Sequence, residues 1–213
     1  MNLFRKILFC FVLLLFTLTI FSQEISIRGG LNLSQIRLFY FDAHESPLIK
    51  AGFQLGPCFN IPINKTLSVE TGVIYFTKGF RHKHTDLDET ITIARLNLVY
   101  LETPLGFKVK IFSRDIALYG FGGGYFAPAL SGTLYGMIED EDSFREQITW
   151  ERDAEFSLKR YDYGAKMGFE VQKNKLRIGL SYSLGLANLS YTTEAGYNRT
   201  LDLYIGYQLF NKN

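Results

Sequence analysis

Residues 161–186 read YDYGAKMGFEVQKNKLRIGLSYSLGL, and this stretch decides the fold. Tyr161, Tyr163, Ala165, Met167, Phe169 and Val171 alternate with Asp162, Gly164, Lys166, Gly168 and Glu170. After the polar residues 172–175, Leu176, Ile178, Leu180, Tyr182, Leu184 and Leu186 alternate with Arg177, Gly179, Ser181, Ser183 and Gly185. A period of two places successive side chains on opposite faces of an extended chain. The stretch is therefore a hairpin with one apolar face and one face rich in charge and glycine.

The same alternation recurs on both sides of it. Upstream, Ile25 to Leu33, Ile49 to Asn60, Leu67 to Tyr75, Val99 to Val109 and Ala117 to Tyr125 each read as a strand, and downstream Leu201 to Leu209 supplies the last. The total is eight. On the strand from Ala117, Tyr119, Phe121 and Tyr125 form the apolar set and Gly120, Gly122 and Gly124 the other. Short turns near residues 62–65, 113–115 and 172–175 alternate with longer loops, roughly 38–47, 80–95, 130–159 and 188–199. Short turns on one rim and long loops on the other characterise an up-and-down transmembrane β-barrel, with the short turns periplasmic and the loops extracellular. Strands of about 10 residues suit a tilted crossing.

The beginning of the chain has a different character. Arg5 and Lys6 precede an apolar run from Ile7 to Phe21, broken by Ser22 and Gln23. Basic residues ahead of a short apolar core read as an export signal, so residues 1–22 are expected to be removed and 23–213 to form the barrel domain. Without residues 1–22 the chain keeps 21 Lys+Arg against 21 Asp+Glu. That balance offers no basic surface for nucleic acid. Cys58 is then the single cysteine, which rules out an intrachain disulfide.

Alternation alone does not distinguish a membrane barrel from a soluble one whose apolar face surrounds a ligand. The glycines favour the membrane. Most lie on the polar face of strands, where on a solvated surface they would only weaken the sheet, whereas in a narrow lumen they make room for longer neighbours. Those neighbours are Arg28, Glu70, Glu102, Lys108, Asp162, Lys166, Glu170, Arg177 and Asp202. Enclosed charges of both signs must pair, and at eight strands side chains already fill the bore. A salt-bridged plug is the expectation, and an ion path the alternative. Tyr75, Tyr125, Tyr161 and Tyr207 lie near strand ends, as an interfacial aromatic girdle would require.

Several short motifs occur in order along the chain: Gly30-Leu31-Asn32-Leu33-Ser34, Ala51-Gly52-Phe53-Gln54-Leu55-Gly56, Leu67 to Tyr75 with Lys78-Gly79, Tyr100-Leu101-Glu102-Thr103-Pro104-Leu105, Asp162-Tyr163-Gly164, Tyr182 to Leu186 with Asn188, and Asn198-Arg199. With these the chain resembles the Bacteroidetes-type outer membrane β-barrel family that includes PorT-like proteins, across essentially all of its mature length. The resemblance implies an outer membrane location and a link to protein secretion. Two features depart from expectation. Phe210 falls on the opposite face from Tyr207, and Pro104 interrupts a strand it cannot serve as a donor, which predicts a bulge there.

Candidate chemistry is sparse. His82 and His84, with Asp86, Asp88 and Glu89, cluster in the second loop, and spacing by two would let both histidines reach one metal; a solvated polar loop is the simpler explanation, and no metal site is assigned. Glu139 to Asp142, Glu146, Glu151, Asp153 and Glu155 surround Trp150 in the third loop, where a divalent cation or plain solvent would serve. Neither a Gly-x-Ser-x-Gly elbow nor a His-Glu-x-x-His pair is present. The reading is a non-enzymatic outer membrane barrel, structural or accessory, without cofactor. Its expected partners are outer membrane lipid and, through the long loops, other envelope proteins. A small pore and a lipid-modifying enzyme are the alternatives.

Overall fold

The computed structural model describes residues 24–38, 48–85, 91–138, 143–152, 157–191 and 195–211, by backbone alone at 37–38, 82–85, 91–93 and 138. Residues 1–22, read as an export signal, lie outside the described residues. The strands are β1 (Glu24–Leu38), β2 (Lys50–Pro62), β3 (Leu67–Gly72), β4 (Ile74–Thr85), β5 (Ile91–Ser113), β6 (Ala117–Ile138), β7 (Phe144–Gln147), β8 (Tyr161–Lys173), β9 (Leu176–Gly185) and β10 (Gly196–Asn211). All pairings between them are antiparallel.

Ten elements make an eight-stranded ring. β3 and β4 are two lengths of one wall strand, interrupted at Val73, and β7 is a short addition to the edge of β6 beyond the wall. The ring closes where β1 pairs β10 along its whole length, from Glu24–Asn211 to Leu38–Gly196. Among the described residues no helix is long and apolar enough to cross a membrane; the strands do that, their ladders closed into a ring. Leu31, Phe53, Leu105, Phe107, Met167, Phe169, Ile178 and Leu203 form an exposed apolar band around the outside.

The short turns show why they are short. Lys173 pairs with Leu176, leaving only Asn174 and Lys175 to reverse the chain. Asn174 adopts a φ of 54°, a left-handed conformation that asparagine tolerates better than most residues. In the first turn Asn64 Oδ1 accepts from the Thr66 and Leu67 amides, both at 2.8 Å. These turns and both chain ends of the described barrel share one rim.

Several expectations need correction. β4 and β5 run on to Thr85 and from Ile91, and β6 continues to Ile138, so much of the loops read at 80–95 and 130–159 is strand. At 23 and 22 residues, β5 and β6 are about twice as long as a membrane crossing needs. Their outer halves stand clear of lipid, where no apolar band marks the strand. The phase of β6 is the reverse of that expected: Tyr125 is buried and Phe126 exposed. Gly120 and Gly122 face outward between Val109 and Phe107 on β5 and Phe169 and Met167 on β8, flooring a groove of about 620 Å³ on the outer face. Tyr125 therefore leaves the aromatic girdle, while Tyr75, Tyr161 and Tyr207 remain on the outside.

The proline and the C-terminal aromatic are accommodated differently from expectation. Pro104 pairs regularly with Tyr125 on β6, and the irregularity falls instead on the facing strand at Val73, between the pairs Thr71–Leu105 and Ile74–Glu102. The Val73 amide is retained by Pro57 O at 3.0 Å. The β5–β6 pairing shifts register where Leu130 of β6 is extra opposite Val99 and Tyr100, and where Ile111 of β5 is extra between Lys110 and Phe112. A register shift between Ile25 and Ser26 turns Phe210 back to the outside, where both it and Tyr207 are exposed.

The rim assignment makes a direct prediction. An epitope inserted beside Arg145, beyond the long-loop end of β6, should bind antibody on intact cells, whereas one at Lys173 should bind only after the outer membrane is permeabilised. Labelling at Lys173 in intact cells would reverse the orientation.

Candidate functional site

The alternation that points leucine and phenylalanine outward points charge inward. Arg28, Glu70, Glu102, Lys108, Asp162, Lys166, Glu170, Arg177 and Asp202 are all buried in the lumen. Removing such groups from water is costly unless each is paired and hydrogen-bonded, and the structure pairs them in two storeys.

The storey nearer the short-turn rim holds three cations and three carboxylates. Lys108 contacts Glu170 and lies 3.2 Å from Glu70; Arg28 reaches Glu70 at 3.4 Å. Arg177 contacts Glu24 and approaches Glu170 at 3.7 Å. The Tyr204 hydroxyl donates to Glu170 Oε2 at 3.1 Å, and the Arg28 guanidinium lies 4.6 Å from the centre of the Tyr204 ring. Gly179 makes room for that ring, because any side chain there would overlap it. Here a lumenal glycine accommodates an aromatic residue rather than the charge expected from sequence.

In the middle storey two lysines serve three carboxylates. Lys166 binds Glu102 at 2.6 Å and Asp202 at 3.2 Å. Lys78 binds Glu102 at 3.0 Å and Asp162 at 3.2 Å. Neutral donors support two of the carboxylates: Asn198 Nδ2 donates to Asp162 at 2.8 Å and the Tyr125 hydroxyl donates to the same carboxylate at 3.2 Å, while Ser181 donates to Asp202 at 2.9 Å. The Lys78 ammonium also lies 4.4 Å from the Tyr125 ring centre.

Above these, towards the long loops, the lumen turns apolar. Ile36, Leu96, Leu98, Ala129, Ile148 and Leu189 are buried together, with Phe80, Leu134, Trp150 and Leu158 packed around them. The sequence expectation of one charged core thus covers the inner and middle storeys and not the mouth. Lys78 and Glu24 lie outside the alternation that defines the third strand to Tyr75 and the first from Ile25. Carrying the inward phase from Ser68 and Glu70 on through Ile74 and Phe76 arrives at Lys78; carrying Arg28 and Ser26 back arrives at Glu24.

The histidine expectation falls where only backbone is described: β4 carries His82 opposite Ala94 and His84 opposite Thr92. Of the acidic third loop, residues 139–142, 153 and 155 lie outside the described residues. Among those described, no group of three or more His, Cys, Asp or Glu side chains is placed to hold a metal. What the lumen can do chemically is hold charge still: Lys78, Lys108 and Lys166 each contact two carboxylates.

Breaking one partner of such a buried set costs about 3 to 5 kcal/mol. Glu102→Ala, which takes one of two carboxylates from both Lys78 and Lys166, should therefore lower the temperature at which the folded barrel loses its compact migration on cold SDS gels. Combining it with Lys78→Met should restore part of the loss. An unchanged transition in Glu102→Ala would show that the network does not hold the barrel together.

Solved structures with a similar fold are distant in sequence. The attachment invasion locus protein Ail of Yersinia pestis is 18% identical over 87% of this chain and 98% of its own, with a TM-score of 0.41. OprG of Pseudomonas aeruginosa is 14% identical over 89% and 97%, at 0.42, and Neisserial surface protein A 7% identical over 86% and 96%, at 0.46. No curated protein matches the chain. Residues 21–191 match the family described as outer membrane protein beta-barrel domain, and with most of its length covered by that match, the chain belongs to the outer membrane β-barrel family.

Proposed function

We propose that this protein is a non-conducting, non-enzymatic barrel of the outer membrane that serves as an accessory to other envelope proteins, and that the process it assists is protein secretion. The observation that carries the first part is the closed lumen. Two storeys of paired charge and an apolar plug occupy its length, and water crossing it would have to strip lysines of their carboxylates. The β5–β6 hairpin supports the second part, since strands about twice the crossing length raise a surface outside the cell on which a partner could dock. The link to secretion rests on the resemblance to PorT-like proteins. Export by residues 1–22 and contact with outer membrane lipid belong to the same reading.

Purified barrel in planar bilayers should give no unitary conductance steps. Reproducible steps whose size changes in Glu102→Gln or Arg177→Met would overturn the closed-lumen reading in favour of a pore. In cells, deletion should reduce the protein released to the medium and leave outer membrane lipid composition unchanged. Altered lipid with normal secretion would favour an enzyme instead.

A further inference from the structure

One seam of the wall is built unlike the rest. β2 and β4 pair directly at Gln54–Phe76 and Leu55–Tyr75, and again at the Leu48–Arg81 bridge. Between these points residues 49–53 face the shorter stretch 77–80, so the two backbones fall out of step. Side chains take over the hydrogen bonds. The Phe53 amide donates to Thr77 Oγ1 at 2.8 Å, and Asn32 Nδ2, from β1, donates to Thr77 O at 2.7 Å. Ser34, also from β1, accepts from the Gly79 amide and contacts Gly79 O, both at 3.1 Å. Lys50 Nζ reaches Lys78 O at 3.4 Å. Gly79 has a φ of 148°, open to glycine and strained for other residues.

Two further features lie on either side of this seam. Beneath it, Gln54 Oε1 and Nε2 and Asn32 Oδ1 are buried without a hydrogen-bond partner. Beside it, the apolar mouth contains a chamber of about 240 Å³ lined by Ile36, Phe80, Leu96, Ile148, Leu158 and Leu189. Ile36 and Phe80 are the inward residues that follow Ser34 and Gly79 on β1 and β4. The chamber's lining is predominantly apolar, with Ser157 and Ser190 among it, which suits a small hydrocarbon. The Lys78–Glu102–Asp162 cluster closes the way down the barrel axis.

We propose that the β2–β4 seam is a lateral port through which small apolar molecules pass between the mouth chamber and the outer leaflet of the membrane. Parting a continuous ladder in lipid exposes one unpaired backbone group after another, each costly. Here backbone pairing holds the two strands at Gln54–Phe76, Leu55–Tyr75 and the Leu48–Arg81 bridge, and between those points the bonds run through the side chains of Asn32, Ser34, Lys50 and Thr77. The port does not depend on the accessory role, and it leaves the axial path closed, so quenching tests the port and conductance tests the plug.

Trp150, the single tryptophan, packs against the apolar cluster and reports on the chamber. With the barrel in phosphatidylcholine nanodiscs, 1-bromooctane dissolved in the bilayer should quench Trp150. Closing the seam with a disulfide in Phe53→Cys/Thr77→Cys should reduce that quenching at least fivefold, and reduction should restore it. Quenching that ignores the cross-link, or none in either state, overturns the port. Hydrogen exchange decides independently of whether the cysteines oxidise: the Phe53 and Gly79 amides should exchange at least tenfold faster than those of Phe107 and Val109 within the β5–β6 ladder. Equal protection overturns the proposal as well.

Discussion

Every other feature of this molecule depends on the closure of β1 against β10. In hydrocarbon a main-chain N–H or C=O has no water to turn to, so a spanning sheet is tolerated only if it has no edge. The pairing from Glu24–Asn211 to Leu38–Gly196 removes the two edges an open sheet would leave. Closure at eight strands then limits the bore to what side chains can fill. It also brings both ends of the described barrel to the rim of short turns, leaving the long connections and the tall β5–β6 hairpin on the other.

A narrow bore could have been filled with apolar side chains, and in its outer half it is. The inner and middle storeys use charge instead, at a desolvation cost that good pairing only offsets. The gain is in register. Had both faces of each strand been apolar, a slip of one residue would have changed little; with Arg28, Lys166 and Arg177 on the inner face, the same slip carries them into lipid. A cation at the bilayer midplane costs about 2 to 4 kcal/mol on such a barrel. The alternation of leucine with lysine thus selects one pairing among its neighbours.

The wall also shows where regular pairing gives way, and each place has a local cause. Pro57 and Pro104 lack the amide that a ladder uses, and the strand between their own strands is interrupted at Val73. The shift beside Ser26 rotates the last residues of β10 so that Phe210 regains the lipid side. At the β2–β4 seam, where the chain runs out of step, Asn32, Ser34, Lys50 and Thr77 supply with side chains what the backbone does not.

Much of this could be read from the sequence, because strand phase is a local property. The hairpin 161–186 shows its two faces without reference to the rest of the chain, and the inward phase of residues such as Glu102 and Arg177 follows from their immediate neighbours. Phase was illegible on β6, where aromatics alternate with glycines and either set could face lipid; Phe107 and Met167, paired across Gly122, settle it. Strand length was illegible outside the bilayer, since no apolar band marks it there. Only the tertiary structure decided which charge meets which. Lys78 and Asp162 stand 84 residues apart, and their contact, like the division of the lumen into charged storeys and an apolar mouth, depends on the register of every intervening pair around a closed ring. Alternation determines the side to which a residue points; closure determines what it finds there.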